Sequence, residues 1–213
     1  MLKFVFGRSG CGKSDYVFNQ IKELAICGEN NILLLTPEQY SLVAERRLLN
    51  DLGEDKVNCV DNSSFSRISN DVRRKYGSDA LPTLSKGGKV ILMCNAIDNC
   101  KDNFQLFNKN LDSLSFVTSM INIYDEMKSC NLDSLQINEL SKNIDNQVLY
   151  KKLADISLIM SAYELLIKDR FNDSSNELTR IYNQIFDKGF FKNKYVFIDG
   201  FNGFVAQEYK LLE

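Results

Sequence analysis

Near its start the chain reads Gly7-Arg8-Ser9-Gly10-Cys11-Gly12-Lys13-Ser14, which matches G-x-x-x-x-G-K-[ST] at every defined position. The apolar run 2–6 before it predicts a buried strand, and residues 15–26 after it predict a helix. Because backbone N–H groups and a helix N-terminus both favour anions, this context predicts a phosphate-binding loop formed by residues 7–14. Lys13 is expected to reach the β- and γ-phosphates of ATP, and Ser14 to bind Mg²⁺.

Strand and helix patterns alternate around this loop and return near the end of the chain. Further strands are predicted at 31–35, 57–60 and 194–198, and helices at 38–52 and 65–76. Between them, residues 85–189 show helical periodicity alone, with helices at 89–99, 114–127, 148–167 and 178–186. We therefore predict an α/β fold: a P-loop, RecA-like parallel sheet domain (1–84 and 190–213) interrupted by an all-helical insertion (85–189).

An ATP site of this kind also needs a carboxylate at the end of a strand to hold Mg²⁺. Asp199 follows the apolar run 195–198 and is the predicted partner of Ser14 in a magnesium site. The next residue is Gly200, where an active helicase generally carries the glutamate that activates water. Because general-base assistance contributes about 10²–10⁴ in rate, we expect ATP binding with little or no hydrolysis, and we assign no catalytic residue.

Composition excludes several classes of protein. The chain has 213 residues, 44% of them hydrophobic, and a net charge of −2, so no overall positive field indicates nucleic acid. It has no histidine, and its six cysteines form no C-x-x-C pair, which favours reduced thiols in a cytoplasmic protein. No apolar run is long enough to span a membrane. The helical pattern 205–212 continues almost to the last residue, which suggests a piece of a longer protein.

The order of these motifs resembles the first RecA-like domain of a superfamily 1 helicase. Its motif I, Ia and single-strand-contact segments are matched by residues 7–14, Leu33-Leu34-Leu35-Thr36-Pro37 and Ser64-Phe65-Ser66-Arg67-Ile68-Ser69. The run Asp199-Gly200-Phe201-Asn202 stands where D-E-F-Q belongs, with both Glu and Gln replaced. Ser66 also replaces the usual histidine of the DNA-contact segment.

Within that superfamily the chain most resembles the AddB family, the B subunit of the ATP-dependent helicase/deoxyribonuclease. The resemblance covers nearly the whole chain. It is carried by Gly7-Arg8-Ser9-Gly10, Thr36-Pro37-Glu38-Gln39-Tyr40, Ser64-Phe65-Ser66-Arg67, Leu84-Ser85-Lys86-Gly87-Gly88-Lys89, and the I-D-G-F-x-x-F-x-x-Q-E pattern that begins at Ile198.

The resemblance implies the N-terminal part of a heterodimeric hydrolase that resects double-strand breaks for recombinational DNA repair. It implies an A subunit and single-stranded DNA as partners, and ATP and Mg²⁺ as cofactors. The nuclease domain and an iron–sulfur cluster are expected only in a C-terminal part outside this sequence, so no cysteine is assigned to a cluster. The fragment alone is expected to be catalytically weak or inactive.

The same resemblance makes Thr36, Ser64, Phe65 and Arg67 candidate DNA contacts. Phe65 has two interpretations, since it can stack on a base or pack into the core behind a helix cap.

Two other functions stay open: a P-loop kinase acting on a small molecule, and a structural module that nucleotide stabilises for binding a partner. The kinase would need an arginine-rich lid, which the 85–189 segment lacks. The structural module stays open because Gly200 stands where a hydrolysing enzyme would carry glutamate.

Overall fold

The computed structural model describes residues 2–77 and 81–213. It divides the chain into two compact units. We call Met1–Gly77 with Ile181–Phe204 the sheet unit, and Ser78–Arg180 with Val205–Glu213 the helical unit. This division does not test the domain boundaries predicted from the sequence (1–84, 85–189 and 190–213), which stay a prediction.

The sheet unit contains three parallel strands in the order β2-β1-β3. Its elements are α1 (Lys13–Ile26), β1 (Ile32–Leu35), α2 (Ser41–Leu52), α3 (Glu54–Val57), β2 (Val60–Ser63), α4 (Phe65–Tyr76) and β3 (Tyr195–Ile198). Ile32 lies opposite both Val60 and Tyr195. β1 is wholly apolar and buried along its length because it is the central strand, covered on both faces. The predicted α/β class is confirmed.

One apolar core of the sheet unit lies between α1, α2 and the sheet. It is formed by Val17, Phe18, Ile21, Ala25, Ile32, Leu34, Ala44, Leu48 and Val60. Residues at every third or fourth position of α1 supply one side of it, as expected for an amphipathic helix. This packing positions the first turn of α1, and the loop before it, near the carboxyl end of β3.

The predicted strand at residues 2–6 is wrong. The structure gives these residues no regular secondary structure, and Phe4 and Phe6 are 66% and 87% exposed. Their rings stack on each other with centroids 5.8 Å apart. A short apolar run shows that burial would be favourable, but a strand also needs a neighbour for its backbone hydrogen bonds. None of the described strands pairs with this segment.

The third predicted strand, 57–60, is displaced toward the C-terminus. Val57 ends the short helix α3, and β2 begins at Val60. The N–H of Val57 donates to the carbonyl of Gly53, which closes the helical turn. β2 is a strand of mixed polarity because it lies at the edge of the sheet, with Asp61 exposed and Ser63 buried.

The helical unit is built from α5 (Lys86–Cys100), α6 (Leu114–Ser129), α7 (Ser134–Ser141), α8 (Gln147–Ile167) and α10 (Ala206–Leu212). Helix α9 (Glu177–Lys188) crosses the division at residue 180. The predicted helices are confirmed, with ends shifted by a few residues. Sequence reasoning missed α7, whose signal was the capping box of Asp133 and Gln136.

The core of the helical unit lies between α5, α6, α7 and α8. Tyr124 and Tyr163 are its largest side chains and meet edge to face with centroids 4.8 Å apart.

Among the described residues, no helix is long and apolar enough to cross a membrane. All six cysteines are free thiols.

Candidate nucleotide-binding site

The loop 7–14 leads directly into α1 and takes a conformation that requires glycine. Gly10 and Gly12 have φ angles of +77° and +84°, which side-chain-bearing residues rarely adopt. A Cβ atom on Gly7 would collide with the Sγ of Cys11. Gly12 is the residue before α1, so the loop delivers the helix N-terminus to the site. Backbone N–H groups at a helix N-terminus favour an anion, so this arrangement is compatible with a phosphate group.

Lys13 folds back over the start of the loop. Its Nζ atom donates hydrogen bonds to the carbonyl oxygens of Gly7 at 2.9 Å and Arg8 at 2.8 Å. The ammonium group is therefore held within the loop by neutral acceptors. A bound phosphate would be a stronger acceptor, because its negative charge attracts the ammonium group and a neutral carbonyl carries no such charge.

Ser14 and Asp199 meet although 185 positions separate them in the sequence. The Ser14 hydroxyl donates to the Asp199 carboxylate, with Oγ 3.0 Å from Oδ1. The parallel pairing of β1 and β3 positions this aspartate, whose N–H donates to the carbonyl of Leu35 at 3.0 Å. Asp199 Oδ2 is buried and accepts no hydrogen bond from the described residues. A buried carboxylate oxygen without a protein partner can accept a hydrogen bond from water or bind a cation.

This pair fits Mg²⁺ by its donor chemistry. Mg²⁺ prefers oxygen ligands, and at nucleotide sites it is held by one or two protein groups together with phosphates and water. A hydroxyl and a carboxylate at hydrogen-bond distance supply such a pair. No group of three or more Asp, Glu, Cys or His residues able to hold a metal occurs in the described part of the chain. The two protein oxygens suit a magnesium ion whose remaining ligands would be phosphate oxygens and water.

Gly200, which stands where an active helicase carries a glutamate, has a left-handed backbone conformation. Its φ is +82°, and a Cβ would lie 3.4 Å from both Pro37 Cδ and Tyr40 Cδ1. Because of this positive φ, a residue with a side chain would be strained at the turn after Asp199. Phe201 and Phe204 continue the turn and pack on Phe65 with centroid distances of 5.4 and 6.1 Å.

We expect Gly200→Glu to lower the free energy of unfolding by about 1–2 kcal/mol, the usual cost of a left-handed residue with a side chain. Chemical denaturation measures this effect. Gly203→Glu is the matched control, because a Cβ at Gly203 meets open space among the described residues. A Gly200→Glu variant as stable as Gly203→Glu would contradict this account.

The four candidate DNA contacts lie close together in the sheet unit but differ in exposure. Thr36, Ser64 and Phe65 are 0%, 3% and 5% exposed. Thr36 donates to Asn62 Oδ1 at 3.2 Å, and Ser64 Oγ accepts from the N–H of Arg67 as the cap of α4. The Arg67 side chain is 47% exposed, with its guanidinium 3.1 Å from a Glu45 carboxylate oxygen. Their role toward DNA stays a prediction.

Sequence reasoning missed one charged pair beside the loop. Asp15, in the first turn of α1, forms an ion pair of 2.7 Å with Arg47 of α2. These residues lie 32 positions apart, and in the sequence Arg47 stands out only as part of a basic pair with Arg46. A local pattern carries no signal for a contact of this kind, which depends on how two helices pack.

Comparison with known proteins agrees with the resemblance drawn from the motifs. The family model described as ADDB, N-terminal, matches residues 4–213. The chain is similar to proteins named as the B subunit of an ATP-dependent helicase/deoxyribonuclease. That of Clostridium tetani is 32% identical over 216 residues, covering 100% of this chain and 19% of the relative.

Two further relatives carry the same name. The Clostridioides difficile protein is 32% identical over 216 residues, covering 100% of this chain and 19% of its own length. The Ruminiclostridium cellulolyticum protein is 30% identical over 213 residues, covering 99% of this chain and 18% of its own length. The chain thus spans about one fifth of the length of these relatives. Since the family model accounts for nearly every residue, the chain belongs to the AddB N-terminal family.

Proposed function

We propose that this chain is the N-terminal, nucleotide-binding part of the B subunit of an ATP-dependent helicase/deoxyribonuclease, and that its sheet unit is RecA-like. The observation that carries the proposal is the contact of Ser14 with Asp199 beside a glycine loop, where one buried carboxylate oxygen has no partner among the described residues. The names of the relatives support the DNA-processing context.

The residues divide the binding of ATP between them. Backbone N–H groups of residues 7–14 and the N-terminus of α1 surround the phosphates. Lys13 exchanges its carbonyl partners for phosphate oxygens and neutralises their charge. Ser14 and Asp199 hold Mg²⁺, which supplies charge stabilisation for the phosphates when bound. Gly200 offers no side chain to take a proton from water, so hydrolysis is slow or absent.

The wider assignments belong to the same proposal. The partner is the A subunit of the complex, and the substrate is DNA, bound as a single strand and processed in double-strand break repair. An iron–sulfur cluster and nuclease residues are assigned to the part of the protein outside this sequence. A reducing cytoplasm agrees with six free cysteines and stays a prediction.

Calorimetric titration with Mg²⁺–ATP tests the proposal. Lys13→Ala should weaken binding about tenfold or more, because a charge-assisted hydrogen bond contributes about 1.5–3 kcal/mol. Asp199→Asn should reduce the dependence of binding on Mg²⁺. The control is Lys22→Ala, which removes an exposed lysine from the same helix and should leave affinity unchanged.

Phosphate release and DNA binding separate the alternatives. Negligible phosphate release together with salt-sensitive binding of single-stranded DNA supports a helicase-like site that binds without hydrolysis. Rapid, DNA-stimulated phosphate release would contradict the role given to Gly200. Phosphoryl transfer to a small molecule would favour the kinase. Failure of a correctly folded chain to bind Mg²⁺–ATP would favour the structural module.

A further inference from the structure

An aspartate stands beside the phosphate loop, where a negative charge opposes the binding of an anion. Asp15 is the third residue of α1. Its Oδ2 atom lies 3.6 Å from the position that a Cβ would take on Gly12, the last glycine of the loop. Its other oxygen, Oδ1, lies 2.7 Å from Nη2 of Arg47. One carboxylate thus faces the loop and the guanidinium of α2 at once.

Arg47 is held firmly enough to fix this carboxylate. Its guanidinium carbon lies 4.2 Å from the centre of the Phe18 ring, a residue of the buried core beneath α1. Its Nε lies 3.5 Å from Asp51 Oδ2 on the same helix. Burial by itself would lower the pKa of Arg47, but the hydrogen bonds and charges of Asp15 and Asp51 raise that pKa above its ordinary value. The arginine is therefore a permanent cation in a defined position.

The effect of these charges on a polyphosphate is modest but measurable. The Asp15 side chain is 66% exposed and that of Arg47 is 30% exposed, so solvent weakens their fields. A charge a few ångströms from a bound phosphate in such surroundings changes affinity by about three- to tenfold. Without Arg47, Asp15 would repel the phosphates more strongly; the nearby guanidinium offsets much of this repulsion.

We propose that Arg47 is a positioning residue of the phosphate site, which fixes the Asp15 carboxylate beside the loop and offsets its negative charge toward a bound nucleotide. The inference rests on the proposed binding of ATP by residues 7–14. It adds a residue of α2, outside the loop, to the groups that determine nucleotide affinity. Arg47 affects nucleotide affinity by offsetting the charge of Asp15, and not by its own packing against Phe18.

A double-mutant cycle measured by Mg²⁺–ATP calorimetry tests this role. Arg47→Met keeps an apolar cover over Phe18 and should weaken binding about three- to tenfold at low salt. Adding Asp15→Asn to that variant should restore affinity to within about twofold of the parent. The loss caused by Arg47→Met should shrink at about 0.5 M salt, where exposed charges are screened. Arg47→Lys, which keeps the charge, should stay near the parent.

Controls separate this inference from its alternatives. Arg46→Met removes the same net charge from an exposed position of α2 and should change affinity less than twofold. A double variant as weak as Arg47→Met alone would show a merely structural role and overturn the inference, as would an equal loss for Arg46→Met. Binding unaffected by Lys13→Ala would instead overturn the proposed phosphate site itself. Melting temperatures of all variants check that each is folded.

Discussion

Replacing Lys89 with methionine is expected to lower the free energy of unfolding of the helical unit by about 3–5 kcal/mol. Lys89 is 8% exposed, and its Nζ atom lies 2.7 Å from Asp173 and 2.9 Å from Asp125. It also donates to Ser175 Oγ at 2.8 Å. Methionine fills the space of the stem but leaves the fully buried Asp173 carboxylate without a counter-charge. Removing one partner of a buried ion pair costs far more than the pair contributes in total.

Hydrogen exchange of the backbone amides in α5 and α8 measures this loss of unfolding free energy within the helical unit. The matched control is Lys101→Met, since Lys101 pairs with Asp98 at 3.1 Å with both side chains about half exposed. Exposed pairs contribute about 0–1 kcal/mol. A Lys89→Met variant as stable as the Lys101→Met control would contradict the role assigned to the buried cation.

The same ion pair predicts how stability depends on pH. Burial by itself would raise the pKa of Asp173, but hydrogen bonds from Lys89, the Ser175 N–H and Tyr163 lower it below its usual range. Its contribution is therefore present above the unfolded pKa of about 3.9 and is lost as pH falls through the lower folded value. For Lys89 the directions are reversed: burial by itself would lower its pKa, but the hydrogen bonds and charges of Asp173 and Asp125 raise that pKa above its ordinary value. That contribution is present below about pH 10.4 and is lost as pH rises through the folded value.

The second large effect is expected from Asp155→Ala, about 3 kcal/mol or more of lost stability in the helical unit. Asp155 is 1% exposed, and its carboxylate accepts three backbone N–H groups: Gln105 at 2.7 Å, Leu106 at 2.8 Å and Phe107 at 2.9 Å. Alanine leaves three donors without this acceptor. It also releases the turn that places Phe107 against Phe116, with ring centroids 5.2 Å apart.

Asp155→Asn distinguishes the hydrogen bonds from the space that the side chain fills. One amide oxygen can still accept two of the three N–H groups, so an intermediate loss is expected. Asp145→Ala, at an exposed position, is the control and should change stability by less than about 0.5 kcal/mol. Equal losses of stability for Asp155→Asn and Asp155→Ala would contradict this expectation, since the remaining amide oxygen and the filled space would then contribute nothing.

Local pattern was enough to predict most elements of this chain. The 3.6-residue spacing of apolar side chains predicted α5, α6 and α8, and unbroken apolar runs predicted β1 and β3. It failed at residues 2–6, where the run is mostly apolar but contains Lys3, and where no described strand pairs with it. It also missed α7, whose eight residues are too few for periodicity to be evident.

The sequence by itself determined the glycine loop, its lysine and serine, and the aspartate that ends a strand. It did so because each is a short pattern with its own backbone requirement, such as the positive φ of Gly12. The sequence also predicted Asp199 as the partner of Ser14, and the structure places the two side chains within hydrogen-bond distance. Only the tertiary structure decided that Arg47 faces Asp15 and that Lys89 is buried against Asp173. Arg47 and Asp15 are 32 positions apart, and contacts of this kind form only through the way helices pack against one another.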